Sequence, residues 1–207
     1  DWPFFGAPAI EYADVIALRS RFTLKLLQRL DEEKATGPDR IPGKILKEIA
    51  DYIAVPFTRL CRRFLAEAYW PRMWRIHSIC PLYKCGSAFI AGNYRGIHLT
   101  TILSKLAERV IGHQLMKFLQ TEKFGESQWA FTPGLGARDL TTALVMSWVL
   151  GICTGHKIGT YLSDITGAFD RVFKDYNLAK LQAAGVGTKY LNFARTNTGI
   201  IVTPAAA

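Results

Sequence analysis

The chain has 207 residues, a length for one domain or one and a fraction. Hydrophobic residues make up 49% and aromatic residues 12%, enough to bury a core, which excludes a disordered chain. The net charge of +9 points to a polyanionic partner, and no apolar run approaches the ~18 residues of a membrane span.

The opening Asp1-Trp2-Pro3 lacks a basic region followed by an apolar one, so no signal peptide is expected. Residues 12–30 predict an amphipathic helix, with Val15, Leu18, Phe22, Leu26 and Leu30 on one stripe. Ala35-Thr36-Gly37-Pro38-Asp39 and then Pro42-Gly43 break it. A second helical pattern runs from Ile45 to about Tyr69, with a kink expected near Pro56 and an end at Pro71. Ile76 to Tyr83 reads as a strand, interrupted or ended near Pro81. Asn93 to Leu99 is a second extended piece. Thr100 is placed to cap the next helix, which carries Leu103, Leu106, Val110, Ile111, Leu115 and Phe118.

A Gly/Pro-rich connection spans Phe124 to Gly136 and leads into a helix from about Ala137 to Ile152, with Leu140, Leu144 and Trp148 in register. Lys157 to Asp164 reads as a strand, and Leu178 to Ala184 as a short helix ended by Gly185. Residues 196–207 lose the helical pattern and finish in alanines, so a truncation is expected there. No internal repeat is visible.

The positive charge is concentrated. From Arg59 to Lys117 ten basic residues face only Glu67 and Glu108, a net +8. Among them Arg59, Arg62, Arg63, Arg72, Arg75, Lys105 and Arg109 are candidates for nucleic-acid binding. The four cysteines, Cys61, Cys80, Cys85 and Cys153, have no zinc spacing and read as reduced thiols of an intracellular protein.

The stretch Tyr161-Leu162-Ser163-Asp164-Ile165-Thr166-Gly167-Ala168-Phe169-Asp170 carries the most chemistry. An Asp at a strand end is commonly a turn or cap residue. It is also a rigid mount for a carboxylate that holds Mg²⁺ during phosphoryl transfer, where two ions sit ~3.5–4 Å apart. The backbone carbonyl of Ile165 offers a second hard oxygen ligand. Phe169 is either core or a ring under the sugar of an incoming nucleotide, excluding a 2′-hydroxyl. The N–H groups of Gly167 and Ala168 are placed to meet its phosphates. No Asp or Glu follows Asp175, so half of a two-metal site is expected.

Pro81-Leu82-Tyr83-Lys84-Cys85-Gly86 and Asn93-Tyr94-Arg95-Gly96-Ile97 bring one Lys and one Arg on two short strands. A triphosphate calls for this pair, a mobile point charge and a planar fork. Neither segment has the spacing of a P-loop.

Six segments in order then resemble the reverse transcriptase domain of a LINE-type (non-LTR) retrotransposon. They are residues 35–42, the run from Trp74 through Ile79–Lys84, Asn93–Ile97, Ser104–Ile111, Phe124–Phe131, and Asp164-Ile165 through Asp170, within a resemblance covering about residues 15 to 193. The resemblance implies an α/β fold: helix-rich polymerase fingers plus the beginning of a palm, of the right-hand polymerase type, truncated. Residues 1–34 would be a helical lead-in, 35–135 fingers-like and 136–207 a partial palm. It implies Lys84 and Arg95 on the triphosphate, Asp164 as the first metal ligand and Phe169 as the sugar gate.

The implied reaction is Mg²⁺-dependent addition of deoxynucleotides to a primer 3′-hydroxyl. Its partners are an RNA template, a DNA primer and deoxynucleoside triphosphates, with no membrane. A nuclear location follows if the chain belongs to a retrotransposon protein. The family pattern continues with a Pro-Gln-Gly segment, a Tyr/Phe-x-Asp-Asp hairpin and a thumb, absent from these residues, so the isolated chain is expected to be inactive. A non-catalytic nucleic-acid-binding remnant and a group II intron maturase-like polymerase are the alternatives.

Overall fold

The computed structural model describes residues 18–122, 127–165, 171–196 and 201–204. The chain divides into two compact units, Asp1–Leu115 with Lys174–Ala207, and Met116–Phe173. These units cut across the lead-in, fingers and palm segments read from the sequence: residues 174–207, read with the palm, share a unit with residues 1–115. The described residues are helix-rich with one small sheet, an α/β composition.

In the first unit α1 (Ser20–Gln28) packs on α3 (Ala50–Ala66), with α2 (Gly43–Glu48) beside them. Of the helix predicted over residues 12–30, residues 18–30 are described, and there the helix runs only from Ser20 to Gln28. Leu27 of α1 and Ala50, Ala54, Phe57 and Cys61 of α3 are all nearly inaccessible to water. The helix predicted from Ile45 to Tyr69 is divided, but at Ile49 (φ −93°, ψ 13°) and not at Pro56. Pro56 stays inside α3 because it sits on the wet side. The carbonyl it deprives of a donor belongs to Tyr52, which is 82% exposed, so water can serve it.

Beyond α3 the chain packs aromatic rings edge to edge. Trp70 and Trp74 lie 5.2 Å apart, Phe64 and Trp74 5.4 Å, and Trp70 and Phe193 5.5 Å. Each such pair adds ~0.5–1.5 kcal/mol to plain burial. Phe193 belongs to α7 (Thr188–Thr196), a helix absent from the sequence-based expectations, whose buried Tyr190 also donates its hydroxyl to Ile111 O at 2.7 Å. Before it, α6 (Lys174–Ala183) starts four residues ahead of the predicted Leu178. It ends in a Schellman turn: Val186 N–H donates to Leu181 O and Gly185 N–H to Gln182 O, with Gly185 at φ +91°.

The sheet has the order β2-β1-β3, from β1 (Ile76–Tyr83), β2 (Tyr94–Leu99) and β3 (Ile201–Pro204). β1 and β2 pair antiparallel, Ser78 opposite Leu99 through Tyr83 opposite Tyr94. β1 therefore runs through Pro81 without interruption. Lys84 N–H donates to Asn93 O at 2.8 Å, which puts the hydrogen-bonded positions at the even residues of β1. Pro81 falls between them and needs no donor toward β2. On its other side β3 pairs only Ile76 to Ile79, so the missing N–H faces an open edge. β3 forms in the end where the helical pattern is lost: Ile201, Val202 and Thr203 are β-branched and pair parallel with β1.

Helix α4 (Ile102–Glu122) is capped one residue later than expected. The buried Thr101, not Thr100, accepts from Ser104 N–H through its hydroxyl at 3.1 Å. The Thr100 hydroxyl is buried with no hydrogen-bond partner.

In the second unit α5 (Ala137–Cys153) has the expected bounds, and the Asp139 carboxylate accepts from Gly136 N–H at 2.8 Å at its start. None of its residues is buried. The strand expected over Lys157 to Asp164 does not form. Among the described residues this unit holds no second strand, and a strand without a partner has no stable ladder. The segment instead folds back along α5, where a Cβ on Gly151 would lie 2.8 Å from Ile158 Cδ1.

Candidate nucleotide and nucleic-acid site

The β1–β2 hairpin arranges the first candidate pair. Side chains alternate across a strand, and directly opposed residues share a face. Leu82 opposes Arg95, and Lys84 continues the ladder opposite Asn93. Lys84 and Arg95 therefore stand on one face, diagonal to each other, both exposed. Among the described residues neither forms an ion pair.

The tip of the hairpin is held by the rest of the two motifs. Tyr83 donates its hydroxyl to Gly86 O at 2.6 Å, Tyr94 to Ala88 O at 2.9 Å, and Asn93 its amide to Ser87 O at 2.8 Å. The two tyrosine rings meet edge to face at 5.6 Å. Gly86 is at φ +87°, and a Cβ there would fall 2.8 Å from the Asn93 amide. Asn93, Tyr94 and Gly86 thus brace the loop between the two cations.

On the opposite face His77 and His98 approach to 3.4 Å between their Nδ1 atoms. Burial, then the neighbouring His98, holds His77 below the ordinary imidazole value, and its ring is also bonded to the Trp74 backbone. Cys80, on the Lys84 face, does not join them. Cys61 is buried and its thiol is pushed up to about 12 by that burial, so it is inert. The structure holds no disulfide: Cys61, Cys80, Cys85 and Cys153 are all free.

Asp164 lies in the second unit, in an exposed segment without strand pairing, and Ile165 beside it is 66% exposed. Gly167, Ala168 and Phe169 lie outside the described residues. Among the described residues no three His, Cys, Asp or Glu side chains gather as a metal site. One carboxylate and one carbonyl amount to no more than the expected half of a two-metal site.

The basic residues divide by what they touch. Arg62 donates from Nε to Leu18 O at 3.2 Å and from its Nη2 to the same oxygen, so its guanidinium ties α3 to the chain ahead of α1. Arg63 pairs with Glu67 at 2.7 Å one helical turn away. Arg75 has a buried Nε without a hydrogen-bond partner. Arg59 and Arg72 are exposed, as are Lys105 and Arg109 on α4. The last two share a cavity with Arg29 and Lys34, cations that charge density along the chain does not single out because they lie before the dense run. No helix of the described residues is long and apolar enough to cross a membrane.

Two curated proteins are similar to the chain. The Retrovirus-related Pol polyprotein from type-1 retrotransposable element R1 of Bradysia coprophila is 28% identical over 169 residues, 76% of this chain and 16% of that protein. The Probable RNA-directed DNA polymerase from transposon BS of Drosophila melanogaster is 22% identical over 167 residues, 80% of this chain and 18% of that protein. The chain thus spans less than a fifth of the length of these relatives. No family model matches it. By its ordered motifs and by these relatives, the chain is similar to proteins of non-LTR retrotransposons.

Proposed function

We propose that the chain is the fingers and the start of the palm of an RNA-directed DNA polymerase, of the right-hand type, that copies an RNA template onto a DNA primer. The observation that carries this reading is the shared face of Lys84 and Arg95 on the β1–β2 hairpin, in a chain similar to a protein named as such a polymerase. There the Lys would meet the triphosphate as a point charge and the Arg as a fork. Asp164 is the proposed first metal ligand, with Mg²⁺ as the ion and the Ile165 carbonyl beside it. Phe169 is the proposed ring against the sugar, with the N–H groups of Gly167 and Ala168 toward the phosphates. Catalysis in such an enzyme is mostly positioning and charge neutralisation. The basic segment supplies the attraction for the nucleic-acid backbone.

A non-catalytic nucleic-acid-binding remnant is the second reading, favoured by the single carboxylate among the described candidates. Both readings expect the 207-residue protein to bind an RNA–DNA hybrid at low salt, with affinity falling steeply as salt rises. Absence of binding at low salt overturns both. The two separate in a longer parent chain that supplies a second carboxylate. There, templated primer extension should be abolished by Asp164→Asn, and Lys84→Ala or Arg95→Ala should raise KM for the deoxynucleotide about tenfold or more. Full activity of the Asp164→Asn chain sinks the polymerase assignment of that residue.

A further inference from the structure

The cavity among the end of α1, the loop after it and the first turns of α4 stands apart by the charge of its walls. It has a volume of about 100 Å³ and is lined by Arg29, Lys34, Lys105 and Arg109, with Asp31 as its one acid. Four cations against one carboxylate leave a net +3. Asp31 is itself engaged, by Lys34 at 3.7 Å and by Glu33 N–H at 3.1 Å. Among the described residues Arg29, Lys105 and Arg109 join no ion pair.

The four cations crowd one another, with Glu108 on α4 drawing Lys105 in part. Lys105 and Arg109 are one turn apart on α4, where like charges repel. The floor beneath them is apolar: Leu106 is 2% exposed and Ile102 8%. A low-dielectric floor strengthens the field above it. The wall is close-packed as well. A Cβ on Gly37 would sit 2.5 Å from Thr100 O and from Thr101 N, so a glycine lets the loop that carries Lys34 and Ala35 lie on the start of α4.

The group that suits such walls is small, tetrahedral and anionic, with oxygens for two guanidinium forks and two ammonium groups. We propose that this cavity is a phosphate-binding site, filled by one backbone phosphate of an RNA strand. The proposal rests on the nucleic-acid reading above and adds Arg29 and Lys34, which that reading does not use. The seat fixes the strand at a point formed by the end of α1, the loop after it and α4, and reads no base.

The test uses the whole 207-residue protein and a labelled single-stranded RNA, with affinity followed across a salt series. Three proteins are compared: the unaltered chain, Arg29→Gln with Arg109→Gln, and Lys44→Gln with Arg138→Gln. The last pair removes the same charge from exposed positions outside the cavity. All four positions are exposed, and circular dichroism checks that each variant folds. The cavity variant should lose about tenfold in affinity at low salt. Its plot of log affinity against log salt should become shallower by about 0.7, the loss of one phosphate on a single strand. The control pair should keep the slope.

A second arm measures the melting temperature with sodium pyrophosphate. A rise in the unaltered chain that the cavity variant lacks, together with an unchanged RNA slope, overturns the strand as the source and assigns the site to free phosphates. If neither measurement distinguishes the cavity variant from the control pair, the site is refuted. Failure of every protein to bind RNA would refute the nucleic-acid reading instead, and the pyrophosphate arm would still judge the cavity.

Discussion

Thr58 has one hydroxyl proton, and it goes to Ala54 O at 2.6 Å, so the 2.7 Å contact with Thr23 is a bond that Thr23 donates. The two substitutions to valine are therefore unequal. Thr58→Val strands a fully buried donor and should cost about 1–3 kcal/mol, while Thr23→Val leaves Thr58 bonded and should cost about 0.5–1.5 kcal/mol. Urea denaturation of both variants measures this, and equal costs would contradict the proton assignment. A second residue-scale expectation concerns Glu108, which touches solvent on one side and the apolar groove of Ile111, Leu115 and Phe193 on the other. Burial raises its pKa, with Lys105 opposing. A carboxyl raised on folding stabilises fully below its unfolded value and loses that contribution as pH climbs through the folded one. Glu108→Gln, neutral throughout, should gain melting temperature over the unaltered chain as pH rises from about 4, the unfolded carboxyl value, toward neutrality. A constant or shrinking difference over that range counts against it. Sequence could show neither effect, because both depend on which side chains a distant helix brings alongside.

At the scale of elements, α5 has its helical pattern and its start in the local sequence, with Asp139 reaching back to Gly136 N–H. Its apolar side chains are nevertheless open: Met146 is 64% exposed, Leu150 67% and Ile152 65%. Helices in proteins draw most of their stability from burial of an apolar face. The amide protons of α5 should therefore exchange with solvent through openings at least roughly 2 kcal/mol easier than those of α3, which is buried along one side. Equal protection of the two helices in native-state hydrogen exchange would show that α5 is covered. The hairpin is the opposite case: β1 and β2 are legible from composition, and only the register reveals that Pro81 sits where no donor is needed. The cap at Thr101 and the turn at Ile49 lie one and seven residues from where sequence places them. Cap and break positions depend on which neighbour is buried.

For the molecule as a whole, the order of motifs along the chain is enough to place it beside retrotransposon polyproteins, since order and residue type need no folding. The same motifs put Lys84 and Arg95 on two adjacent strands, and alternation along a strand does the rest. What the motifs cannot contain is the grouping of distant segments. Residues 174–207 join the first unit because Trp70 meets Phe193 and β1 pairs with β3, contacts across more than a hundred residues. Arg29 and Lys34 join Lys105 and Arg109 for the same kind of reason, a glycine at position 37 that lets a loop lie on a helix. Local pattern determines element type, charge density and motif order, because these are properties of neighbours in the chain. Which cations converge, which strand ends a sheet and which carboxylate feels burial are decided by packing, because they depend on distances that only the folded backbone sets.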